Sequence, residues 1–72
     1  MEHFRQTIEP GMLVEDSDGN SVGKVCELQG NWFTLERPDG QRRQVWYDTV
    51  QNLLGNTVVL SIPRSQLFSK AA

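Results

Sequence analysis

The chain has 72 residues, a formal net charge of -2 and 38% apolar residues, which is enough for one small domain and no more. The balance of 7 basic against 9 acidic residues argues against broad electrostatic capture of nucleic acid. A single histidine (His3) and a single cysteine (Cys26) leave no ligand set for a structural metal and no intrachain disulfide.

The chain opens on a polar stretch, Met1–Gln6, with no apolar signal segment, and residues 1–7 read as a loose terminus. No apolar run approaches the length of a membrane span. Pro10-Gly11 is a turn signal that opens a first strand, Met12–Glu15. The next segment, Asp16-Ser17-Asp18-Gly19, places a central Asp before a Gly and predicts a hairpin loop. That loop sets Val14 opposite Val22 and Glu15 opposite Ser21. The second strand, Ser21–Leu28, breaks phase at Gly23: Val22, Cys26 and Leu28 share one parity and Val25 has the other. A glycine at such a point predicts a bulge or bend.

Gln29-Gly30-Asn31 turns the chain into the clearest element, a hairpin over Asn31–Tyr47. Its turn is Arg37-Pro38-Asp39-Gly40. Pro presets the first turn dihedral, and Gly takes the left-handed position of a three-residue loop with a G1 bulge. The register then sets Trp32 opposite Trp46, Phe33 opposite Val45 and Glu36 opposite Arg42. One face carries a core pair and the other carries both tryptophans.

Asp48, with Gln51 three residues on and Gly55 beyond, resembles a capping box and predicts a short helical turn near 48–54, with Val50, Leu53 and Leu54 inward. The segment Thr57–Ile62 alternates as a strand, with Val58, Leu60 and Ile62 on one face. Pro63 ends it and can start a short C-terminal helix, which makes Leu67 and Phe68 a terminal plug or an exposed tail. Strands this short and closely spaced predict an all-β fold, a small antiparallel barrel of five to six strands.

The order of motifs resembles the PRC-barrel domains. Pro10-Gly11-Met12-Leu13-Val14, Asp16-Ser17-Asp18-Gly19 and Val22-Gly23-Lys24-Val25 are similar to the start of those barrels. One such barrel forms the cytoplasmic part of the photosynthetic reaction-centre H subunit, and another the C-terminal domain of a ribosome maturation factor. Phe33-Thr34-Leu35, Pro38-Asp39-Gly40, Tyr47, Val50 and Val58-Val59-Leu60 resemble short, stand-alone, uncharacterised bacterial proteins related to that barrel. The resemblance covers about residues 8–62, within a single domain over 1–72 whose last residues, 69–72, read as loose. It implies a barrel of PRC type that acts as an adaptor or protein-binding module. The membrane helix of the reaction-centre subunit and the N-terminal domain of the maturation factor are absent, so neither function carries over.

Candidate chemistry is sparse. His3 stands in a polar terminus with no partner base. Cys26, on a strand, reads as a buried, inert thiol, and a lone thiol fits a reducing cytoplasm. Asp16-Ser17-Asp18-Gly19-Asn20 has the composition of a calcium loop, and Glu27 stands at its twelfth place. The glycine comes fourth rather than sixth, and the flanks read as strands, so a hairpin turn accounts for it. The expectation is therefore a non-catalytic protein without cofactor or membrane span.

The binding surface expected from the register is Trp32, Thr34, Arg42 and Trp46 on the outer hairpin face, taken up by a protein partner or a second copy of the chain. The termini (Phe4, Ile8, Leu67, Phe68) are the alternative cover for the indoles. A second reading is an RNA- or ribosome-associated barrel that uses Arg37, Arg42 and Arg43 at the hairpin tip.

Overall fold

A computed structural model describes residues 8–67. Six strands form one sheet: β1 (Leu13–Glu15), β2 (Ser21–Leu28), β3 (Trp32–Glu36), β4 (Arg42–Trp46), β5 (Val50–Leu54) and β6 (Thr57–Leu60). A 3₁₀ turn, Tyr47–Thr49, links β4 to β5, and a short helix, α1 (Arg64–Leu67), follows β6. The sheet order is β4-β3-β2-β1-β6-β5.

The all-β expectation holds, while the antiparallel barrel needs correction in two respects. The sheet is mixed, because β1 and β6 pair in parallel, Leu13 with Thr57, Val14 with Val58 and Glu15 with Val59. It is also open among the described residues, with β4 and β5 as its edges. All six strands still feed one core. Val14, Val22, Val25, Phe33, Leu35, Val45, Val50, Val58 and Leu60 cluster there with Met12 and Tyr47. A single shared core requires the sheet to curl around it. Ile8 and Leu67 are buried in the same cluster, so Leu67 is a plug and the core reaches beyond residue 62.

The main hairpin forms as its turn chemistry dictates. Arg37 N–H donates to the Gln41 carbonyl at 2.7 Å, Gly40 N–H to the Arg37 carbonyl at 2.9 Å, and Gly40 takes φ +94°. The register is unbroken from Trp32↔Trp46 through Phe33↔Val45 to Glu36↔Arg42. The first turn has the same backbone: Asp16 N–H donates to the Asn20 carbonyl and Gly19 N–H to the Asp16 carbonyl.

The first hairpin departs from its expected register. Glu15 does face Ser21, but Val14 faces Gly23 and Val22 is the extra residue of a bulge. The bulge lets Val22 and Gly23 both turn inward. Gly23 is required there, since a Cβ would overlap the Glu36 carbonyl oxygen and sit 2.8 Å from Leu35 Cδ1. A second irregularity, at Cys26, pairs Val25 with Leu35 and Glu27 with Thr34. It turns the thiol out of the core, so Cys26 is half-buried rather than buried.

The segment after β4 also differs from expectation. Only Tyr47–Thr49 is helical, and it has no side-chain cap. Residues 50–54 form β5 instead, with Val50 opposite Leu60 and Leu54 opposite Thr57. Gly55, at φ +61°, occupies the first central position of the tight β5–β6 turn. Local capping chemistry at Asp48 and Gln51 is outweighed by pairing with β6. The last strand is correspondingly shorter than expected, ending at Leu60, with Ile62 only partly buried against the core.

Candidate functional site

Alternation along β3 and β4 sends Phe33, Leu35 and Val45 into the core. It leaves Trp32, Thr34 and Glu36 facing outward beside Trp46, Gln44 and Arg42. The two indoles meet edge to face, with ring centroids 5.3 Å apart and planes at 73°. This geometry suits the ring quadrupoles. Trp32 is half-buried, while Trp46 is 52% exposed. Thr34 is half-buried between Glu27 of β2 and Gln44 of β4, and Arg42 is exposed. The four expected surface residues therefore share one face. Ile8 and Leu67 lie in the core and do not cover the pair; Phe4, Phe68 and His3 fall outside the described residues.

The three arginines of the hairpin tip are dispersed. Arg42 and Arg43 are neighbours on one strand and so project to opposite faces. Arg37 lies at the turn, where it donates to Gln41 Oε1 at 3.4 Å. It also borders a groove of about 420 Å³ lined by Leu13, Gly23, Lys24, Glu36 and Pro38. A smaller hollow of about 230 Å³ adjoins it, reaching Arg64 and Asp39.

Pairing across the sheet also builds a feature that local sequence could not reveal. Arg42, Glu36, Lys24, Leu13, Thr57 and Leu54 form one row of register partners that crosses all six strands on the outer face. Leu13 and Leu54 are 44% and 59% exposed, so this row ends on an apolar stretch. The signal was inaccessible because Leu13 meets Thr57 only through the long-range parallel pair.

Among the described residues the buried carboxylate is Asp16, and its role is structural. Oδ1 accepts from the Asp18 and Asn20 N–H groups at 3.0 and 2.8 Å, and Oδ2 accepts from Arg64 N–H at 2.9 Å. Burial acts to raise its pKa. The bonds from the Asn20 and Arg64 backbones, the Asn20 amide and Asp18 outweigh that effect and hold the carboxyl below the ordinary value of 3.8. Among the described residues no group of three or more His, Cys, Asp or Glu side chains could hold a metal ion. No helix there is long and apolar enough to cross a membrane.

Fold and surface together define a small all-β domain with an aromatic outer face. The chain belongs to the family of uncharacterized proteins conserved in bacteria (DUF2171), which matches residues 8–67. No curated protein matches the sequence.

Proposed function

We propose that this domain is a non-catalytic interaction module. It holds another protein chain against the outer face of the β3–β4 hairpin through Trp32, Thr34, Arg42 and Trp46. The observation that carries this reading is Trp46, 52% exposed and braced edge-on by Trp32. A large exposed aromatic is typical of an interface anchor, and Arg42 stands at the other end of the same strand face. The non-catalytic reading is supported by the lack of a paired nucleophile and base in the sequence. A PRC-type barrel acting as a cytoplasmic adaptor is the finer form of this reading. It is supported by the expected turns at residues 16–20 and 37–41 and by the curl of the sheet. An RNA-binding role through Arg37, Arg42 and Arg43 draws less support, because these arginines do not share a face and the net charge is -2.

The test is photo-cross-linking in bacterial cells, with a photoreactive residue placed at Thr34 and, separately, at Gln51 on β5. The expected result is a discrete protein adduct from position 34 only. No adduct, or the same adducts from both positions, overturns the reading.

A further inference from the structure

The two edges of the open sheet are finished differently. At β5 the register slips between Val50 and Asn52. Leu54 and Thr57 close the tight turn, so the Leu53 N–H points away from β6. Asn52 Oδ1 takes that N–H at 2.8 Å. A bulge and an occupied donor both blunt a sheet edge.

The β4 backbone has neither device. The bonds from Arg37 N–H to the Gln41 carbonyl at 2.7 Å and from Tyr47 N–H to the Asn31 carbonyl at 3.1 Å fix the phase of its ladder. Arg43 and Val45 therefore direct their backbone groups to β3, while Arg42 and Gln44 direct theirs away from it. What this edge carries instead is charge. Arg42 and Arg43 are both exposed, and as neighbours on a strand they stand on its two faces. No carboxylate stands on β4 beside them.

We infer that Arg42 and Arg43 guard this edge: their charge, and not the backbone, keeps a second copy of the chain from adding its own β4. This goes beyond the interaction-module reading, which concerns the outer face, and it gives Arg42 a further role in keeping the domain monomeric.

The registers open to two antiparallel copies of β4 show why. A two-fold axis at Arg42, at Arg43 or between them sets cation against cation, which is repulsive. An axis at Gln44 sets the arginines against Val45 and Trp46. Two arginines from each copy then crowd one short contact, and no acidic side chain of either strand offsets the cost of desolvating them. An axis at Val45 or Trp46 runs the ladder into the Tyr47–Thr49 turn. Charged side chains are a known protection of an otherwise competent edge. The backbone groups of Arg42 and Gln44 stay competent behind this one, so removing the charge exposes them to pairing.

The test is sedimentation velocity on the full chain from low to high micromolar concentration. The wild type is expected to stay monomeric. Arg42→Thr/Arg43→Thr keeps a good strand former at both positions and is expected to tighten self-association by about tenfold or more. Circular dichroism checks that it is folded. Arg42→Glu/Arg43→Glu restores like charges of the other sign and is expected to be monomeric alone. Mixed with the wild type, it sets carboxylates against guanidinium groups, and a mixed complex that weakens with salt is expected. The mixture separates charge from bulk, because glutamate is a long side chain too. If the threonine variant does not fold, the mixture decides alone.

A wild type that already forms dimers overturns the inference. So does a folded threonine variant that remains monomeric, or a glutamate variant that fails to associate with the wild type. None of these outcomes bears on the Thr34 cross-link, so the guard and the interaction module stand or fall separately.

Discussion

The Asp16 carboxylate accepts the Arg64 backbone N–H at 2.9 Å, joining the first turn to the start of α1 across 48 positions of sequence. The neighbouring Ser17 N–H donates to the Ile62 carbonyl at 2.9 Å, so two adjacent residues clamp the C-terminal segment. Asp16→Ala is therefore expected to lower the thermal midpoint clearly and to release α1, with its buried Leu67. Asp39 also caps a turn, accepting from Gln41 N–H at 3.0 Å, but in an exposed loop. Asp39→Ala is expected to cost only about 0.5–1.5 kcal/mol. Thermal melts of the two variants side by side check the difference.

The same carboxylate gives the domain an acid limit. Its folded pKa lies below the ordinary value of 3.8, so near and below that pH the unfolded chain binds more protons than the folded one. The contribution of Asp16 is fully present above this range, including at neutral pH. It is lost as pH falls through the folded pKa. Urea unfolding at stepped pH should show a decline that is shallower in Asp16→Asn. An equal slope in both proteins contradicts the assignment.

Gly23→Ala tests the bulge. The new methyl group would overlap the Glu36 carbonyl oxygen and crowd Leu35 Cδ1. The strands must shift apart, at an expected cost of about 1–3 kcal/mol. Chemical denaturation measures it, and an unchanged midpoint would show that β2 and β3 do not approach as described.

The tryptophan pair makes a measurable but modest contribution. A double-mutant cycle with Trp32→Leu and Trp46→Leu should return a coupling of about 0.5–1.5 kcal/mol. The pair lies on the outer face, so each single variant should remain folded. Phe33→Ala differs, because its ring is fully buried. Its loss is expected to cost about 3–5 kcal/mol, most of the stability of so small a domain.

What could be read from the sequence was whatever a turn decides locally. Pro38-Asp39-Gly40 fixed a loop, the loop fixed the register, and the register correctly placed Trp32 beside Trp46. The first hairpin lies one residue out of the register its turn alone would set, because the bulge at Val22 answers to the Glu36 backbone of a different strand. Asp48 and Gln51 mimic a helix cap before β5, while the deciding partner, Leu60, is supplied by β6. The burial of Asp16 was illegible for a related reason, since one of its donors is the Arg64 backbone, which no side-chain pattern announces. That Trp32, Thr34, Arg42 and Trp46 share the outer face of the hairpin was legible as well.

The parallel ladder between β1 and β6 has a kinetic consequence. Strands β1 to β4 are neighbours in sequence and can zip up through short turns, and β5 with β6 forms its own tight hairpin. Nothing local joins these two pieces. Their seam is Leu13–Glu15 against Thr57–Val59, residues from nearly opposite ends of the described chain. Closing it costs more loop entropy than any of the tight hairpins, so this ladder is expected to form after them. Val14 and Val58, partners on that seam and both fully buried, are the side chains through which the two halves join the same core.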